Sequence, residues 1–123
     1  MLTLTLPWPP STNTYWRHPT KGRLAGRHLI SEQGRAYREA VAIQVLAQNG
    51  RQLLDCPLAI DIEVFMPDRR RRDLDNLLKS LLDSMTHAGV WADDSQIHDL
   101  RIRRGPHLGG MVKVAVQPTG AKP

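Results

Sequence analysis

A chain of 123 residues buries one hydrophobic core and hardly two, which excludes a separate catalytic lobe and places every function on one compact domain. Seventeen Lys and Arg against twelve Asp and Glu leave a formal charge of +5, which favours a polyanionic partner such as nucleic acid over an acidic one. Cys56 is the single cysteine, which excludes an intrachain disulfide, argues against a zinc site of cysteine ligands and fits a reducing compartment.

The opening MLTLTLPWPP has neither a basic leader nor a long apolar stretch, and no later segment approaches the roughly 20 apolar residues of a membrane span. An untargeted cytoplasmic protein is expected. From Leu2 to Leu6 apolar residues alternate with Thr3 and Thr5, the period of a half-buried strand, which Pro7, Pro9 and Pro10 stop. Residues 11–29 keep no period. They carry Asn13, Tyr15, Trp16, Arg17, His18, Lys21, Arg23, Arg27 and His28, a mixture suited to a loop that faces phosphates and stacks aromatics on bases. A solvated loop with Trp16 tucked into the core accounts for the same residues.

Ser31 and Glu32 read as an N-cap and an acidic first turn. Ala36, Ala40, Ile43 and Ala47, with Tyr37, Val41 and Val45, recur at helical spacing until Gly50 ends the helix as a C′ glycine. After Pro57 a second alternating run follows, with Leu58, Ile60, Ile62, Val64 and Met66 on one face and Asp61 and Glu63 on the other. Leu74, Leu77, Leu78, Leu81, Leu82, Met85 and Ala88 mark a second helix that Gly89 terminates. Residues 97–103 and 111–116 read as strands joined through Gly105, Pro106, Gly109 and Gly110, which predicts a hairpin. Residues 118–123 read as a frayed tail. The element order predicts a single α+β domain with a small, mostly antiparallel or mixed sheet flanked by two helices.

The informative segment is PDRRRRDLDNLLKSLLD, in which four arginines, Arg69, Arg70, Arg71 and Arg72, directly precede Asp73 and Asp75. Such a run either points into water or meets a phosphate backbone. On an extended entry to a helix the two aspartates project the same way and bring hard oxygen ligands together, and one or two carboxylates with substrate phosphates suffice for magnesium. The competing reading has Asp75 cap the helix while Asp73 answers the arginines. Lys79 lies one turn beyond Asp75, within reach of a phosphate at the helix start. Asp93 and Asp94 form an acidic corner after the helix, able to supply a third carboxylate from another element, although one of the two can equally be a turn cap. The histidines have no HxxxH or HExxH spacing, and there is neither a Gly-rich phosphate loop nor a nucleophile elbow, so no nucleotide cofactor is expected.

Together LPWPPSTNTYWRH, SEQGRAYRE, MPDRRRRDLDNLLKSLLD and AGVWADDSQI resemble the RusA family of Holliday-junction resolvases over most of the chain. The resemblance implies a homodimer that cleaves four-way DNA junctions by paired symmetric nicks, with magnesium as cofactor and manganese as a substitute. It implies that Asp73, Asp75 and Asp94 bind the metal, that Lys79 is catalytic, and that Asn13 and Asn76 occupy motif positions near the substrate. Leu82 and Val90 stand where another family member has phenylalanines, and Thr12 replaces an asparagine, which bears on packing and preference more than on chemistry. Two rivals remain: a non-catalytic protein that holds branched DNA, and a nuclease acting on flaps or forks. Three carboxylates beside a phosphate argue against the first, because without a cation they cost affinity.

Overall fold

The computed structural model describes residues 1–27 and 29–120. The sheet is built from β1 (Leu2–Pro7), β4 (Leu58–Phe65), β5 (Ile97–Arg104) and β6 (Met111–Pro118), and two long helices, α2 (Glu32–Ala47) and α3 (Asp75–Ala88), cover one of its faces. Strand order is β1-β6-β4-β5, with β1 and β4 antiparallel to β6 and β5 parallel to β4. Leu4, Leu6, Ile60, Ile62, Val64, Val112, Val114 and Val116 alternate inward and meet Tyr37, Val41, Val45, Leu77, Leu81 and Met85 of the helices. The α+β class and the mostly antiparallel sheet agree with the pattern in the sequence.

The expected hairpin is not formed. β6 inserts between β1 and β4, while β5 lies on the far edge, so the two strands share no ladder. Val112, Val114 and Val116 are fully apolar on their inner face and are buried best in the centre of the sheet. Ile97–Arg104, with only scattered apolar residues, suits an edge. The connecting glycines therefore wrap across the end of β4: Gly105, Gly109 and Gly110 donate to the carbonyls of Val64, Met66 and Phe65 at 2.8–2.9 Å.

Residues 11–29 are more ordered than their lack of period predicted. They hold a one-turn helix, α1 (Thr12–Tyr15), capped by Ser11, and the two-residue strands β2 (Trp16–Arg17) and β3 (Leu29–Ile30), which pair antiparallel. Elements this short leave no periodic trace. His28 and residues 121–123 lie outside the described residues, and with them the end of the predicted tail; Thr119 still donates to the Pro57 carbonyl at 3.1 Å.

Ser31 caps α2 as expected, accepting from the Gly34 N–H at 2.9 Å. The buried face of α2 is Gly34, Tyr37, Val41 and Val45, whereas Ile43 is 59% exposed. Asn49, not Gly50, takes the left-handed conformation after α2, with φ 58°. Gly50 is required for closeness instead, since a Cβ there would lie 2.8 Å from Leu4 Cδ2. At the other end of the sheet Gln48 guards the β1 edge: its amide accepts from the Thr5 N–H at 2.9 Å and donates to the Thr5 carbonyl at 2.8 Å. Among the described residues no helix is long and apolar enough to cross a membrane.

Candidate active site

The arginine run leaves the end of β4 and leads into α3. Asp68 organises it: Arg72 reaches its two carboxylate oxygens at 2.5 and 3.0 Å, and the Arg70 N–H donates to it at 2.9 Å. The hydrogen bond from Arg72 and then that from the Arg70 backbone hold the Asp68 carboxyl far below the usual carboxylate range. Arg72 also lies over the Trp8 ring, 5.9 Å from its centroid, and its carbonyl accepts from Arg104 Nη2 at 2.9 Å. Arg72 is thereby a half-buried structural cation, while Arg69, Arg70 and Arg71 are exposed.

This arrangement speaks against the capping reading of the aspartates. The residue before α3 is Leu74, in helical conformation with no side-chain cap, so Asp75 stands as the first helical residue and caps nothing. Asp68, not Asp73, answers the arginines. Asp73 and Asp75 are both exposed, and among the described residues their side chains enter no ion pair. Asp73 and Asn76 line a cleft of about 490 Å³ with Trp8, Ser11, Arg71 and Arg72. The start of α3 adds the positive end of the helix dipole, although the Asn76 and Leu77 N–H groups are already bonded to the Asp73 and Leu74 carbonyls at 3.3 and 3.2 Å. Lys79 is exposed one turn further on, and its charge helps to keep the carboxyl of Asp83 ionised.

Residues 10–15 are clamped along α3. Ser80 Oγ donates to the Pro10 carbonyl at 2.6 Å, Thr12 Oγ1 donates to the Asn76 carbonyl at 3.2 Å, and the Tyr15 hydroxyl donates to Asp83. Positions 76, 80 and 83 share one helix face, so α1 is laid against the start of α3 and holds exposed Asn13 nearby. Arg38 of α2 completes the network, donating to Tyr15 Oη at 2.8 Å and to Asp83 Oδ2 at 2.6 Å. Burial works to raise the Asp83 carboxyl, but the Tyr15 and Arg38 hydrogen bonds outweigh it and the pKa falls. Burial and then the hydrogen bond to Asp83 push the Tyr15 phenol up.

The acidic corner divides as one of its readings foresaw. Asp93 is the cap of a 3₁₀ turn over Asp94–Gln96, accepting from the Ser95 N–H at 3.0 Å and from its hydroxyl, which lower its pKa. Asp94 faces inward, accepting from Trp91 Nε1 at 3.1 Å and from the Thr86 hydroxyl. Gln96 fixes the corner, donating to the carbonyls of Leu54 and Cys56 at 2.8 and 3.0 Å.

Asp94 is not beside Asp73 and Asp75. It is tied to Thr86, eleven residues along α3 from Asp75, or about 16 Å at 1.5 Å per residue. Among the described residues no three His, Cys, Asp or Glu side chains of one chain gather as a metal site. Of the predicted loop residues, Trp16 is half-buried and meets Tyr15 edge-on at 5.1 Å, whereas Arg17, Lys21, Arg23 and Arg27 are exposed. Sequence reasoning did not single out Trp8, Arg38, Asp68, Asp83 or Thr86. The i, i+4 spacing of Asp68 and Arg72 was a legible signal; the partners of Asp83 come from three elements and left none.

Comparison with known proteins places the chain in a family. Residues 7–117 match the family described as Endodeoxyribonuclease RusA. The chain is 45% identical over 118 residues to the crossover junction endodeoxyribonuclease rusA of Enterobacteria phage 82. It is 44% identical over 118 residues to the proteins of the same description from Escherichia coli K12 and Shigella sonnei. In each case 95% of this chain and 94% of the relative are covered. The matched span contains the arginine run, both aspartates and the acidic corner, and with identity of this order across nearly the full length of both chains the chain belongs to the endodeoxyribonuclease RusA family.

Proposed function

We propose that this chain resolves four-way DNA junctions by paired symmetric nicks, depends on a divalent cation, and leaves 5′-phosphates in DNA recombination and repair. The observation that carries the reading is the pair of exposed carboxylates Asp73, in a cleft lined by Arg71 and Arg72, and Asp75, two residues on at the start of α3, neither in an ion pair among the described residues, in a chain of this family. Their hard oxygens fit magnesium or manganese, and with Asp94 they form the ligand set of the proposal. Such a cation, when bound, activates water and offsets charge on the leaving 3′ oxygen. Arg71 and the first turn of α3 orient the scissile phosphate, and Lys79 stabilises the added negative charge of the transition state, a role worth about 3 kcal/mol where the donor is preorganised.

The distance between Asp75 and Asp94 argues for a homodimer with composite sites. β5 runs alongside α3 in the opposite sense, beginning beside the Asp94 turn and ending at Arg104, which reaches back to Arg72. Midway along each element leucines reach the surface: Leu78 and Leu82 of α3 are only partly buried, and Leu100 is 40% exposed on an edge strand. A two-fold axis through that midpoint sets the Asp73–Asp75 end of one copy against the Asp94 end of the other. It yields two equivalent sites for a substrate that itself has approximate two-fold symmetry.

The test is cleavage of a mobile four-way junction with magnesium, beside linear duplex and flap controls, for the wild type and Asp75→Asn. Symmetric nicks confined to the junction and lost in the variant support the proposal. Flap cleavage alone changes the substrate, and binding without cleavage under any divalent metal removes the enzyme.

A further inference from the structure

The arginine run separates two clefts. Arg71 and Arg72 line the cleft that contains Asp73, but Arg69 and Arg70 line a second one, of about 500 Å³, with Arg104, His107 and Leu108 on its opposite wall. Both walls are built firmly. The far wall is the turn after β5, whose Gly105, Gly109 and Gly110 are bonded to the end of β4, the first two packing on Phe65; a Cβ on Gly105 would lie 2.5 Å from the Phe65 ring. His107 lies against the same ring at 4.8 Å. The near wall is held by the Asp68–Arg72 pair and by Arg104 bonded to the Arg72 carbonyl.

Charge decides what this second cleft accepts. Its one carboxylate, Asp68, is already answered by Arg72 from outside the cleft and by the Arg70 backbone N–H, while its contact with the Arg70 guanidinium is a loose 3.7 Å. Among the described residues Arg69 and Arg104 therefore present guanidinium groups in no ion pair and Arg70 one held only loosely by Asp68, the planar forks that suit phosphate oxygens. Its cations continue the line that begins in the first cleft.

We propose that this is a second phosphate site, which grips the DNA backbone away from the scissile phosphate and sets the register of the substrate in the first cleft. It rests on the nuclease reading above, and Arg104 is a contact residue that neither the sequence motif nor the family description assigns. Holding one strand at two points separated by a rigid divider discriminates a bent or branched backbone from a straight one by geometry alone.

Binding of a four-way junction in calcium, followed by fluorescence anisotropy across a salt series, tests this for wild type, Arg104→Gln, Arg70→Ala and, as a charge control on α2, Arg35→Ala. We expect the slope of log Kd against log salt to fall by about one for each cleft arginine removed, with a several-fold loss of affinity, and Arg35→Ala to match wild type. Neutral methylphosphonates placed one at a time in the junction locate the contact: one position displaced from the cut should weaken wild type but be silent in Arg104→Gln. Unchanged slopes, an equal change in Arg35→Ala, or a silent position at the scissile phosphate itself would each overturn the second site. Failure of the wild type to cleave any branched DNA would instead remove the nuclease reading, and the salt series would still report on the cleft.

Discussion

Arg38 of α2 donates to Asp83 of α3 through both Nε, at 3.2 Å, and Nη2, at 2.6 Å, with the Tyr15 hydroxyl bonded to the same carboxylate oxygen. Asp83→Asn leaves a part-buried guanidinium without its counter-charge. Because both side chains remain about a quarter exposed, the expected loss is modest, about 1–2 kcal/mol in urea denaturation. The pH dependence follows from the two shifts. The folded pKa of Asp83 is depressed, so its contribution is present above the ordinary carboxylate range and is lost as pH falls through the folded value. The folded pKa of Tyr15 is raised, so its contribution is complete below the ordinary phenol range and declines as pH rises beyond it. Asp83→Asn should flatten the acid limb of stability against pH; an unaltered limb would show that other carboxylates set it.

The Thr86 hydroxyl and Trp91 Nε1 together aim Asp94. Thr86→Val keeps the shape and removes one donor. We expect a roughly tenfold slower single-turnover cleavage, about 1.4 kcal/mol of transition-state stabilisation, with the thermal midpoint nearly unmoved. Slowing that merely follows a fall in the midpoint would make Thr86 a packing residue.

The composite site makes a prediction that a site within one chain does not. Asp75→Asn and Asp94→Asn are each expected to be inactive alone. Mixed and allowed to exchange subunits, they form heterodimers in which one site has both native carboxylates and the other has neither. Nicking of a single strand should return, at up to half the wild-type rate per dimer in the heterodimer fraction. No recovery, with exchange verified by mass, would be the outcome that sinks shared sites.

The arginines of the run are not equivalent. Replacing Arg69 and Arg71 together should lower the salt slope of junction binding by about two. Arg72→Ala should lower it by less than one, because its charge is already paired with Asp68, and should instead disturb the cleft through Trp8. Equal slopes for the three positions, measured under the same conditions, would mean that the Asp68 pair opens on binding.

How much was legible beforehand follows from the range of the interactions. Ser31 as a cap, the alternation of β4, the Leu stripe of α3 and the stop at Gly89 are set by neighbours within four residues, and each stands where the pattern placed it. The hairpin failed because strand order depends on which strand gains most from burial on its inner face, a comparison between β5 and β6 that the turn between them does not encode. The α1 clamp escaped notice because its partners, Asn76, Ser80 and Asp83, are some 64 to 70 residues away.

By itself the sequence determined the chemistry on offer: a basic chain with one cysteine, two aspartates against an arginine run, a lysine one turn on and an acidic corner, because residue types and short spacings are local properties. Only the tertiary structure decided their deployment. It gave Asp68 the arginine partner and Asp93 the cap, left Asp73 and Asp75 without an ion pair among the described residues, and carried Asp94 to the other end of α3. Those outcomes rest on packing a rigid helix of about 21 Å against a sheet, and a rod of that length keeps its two ends apart however close they stand in the sequence.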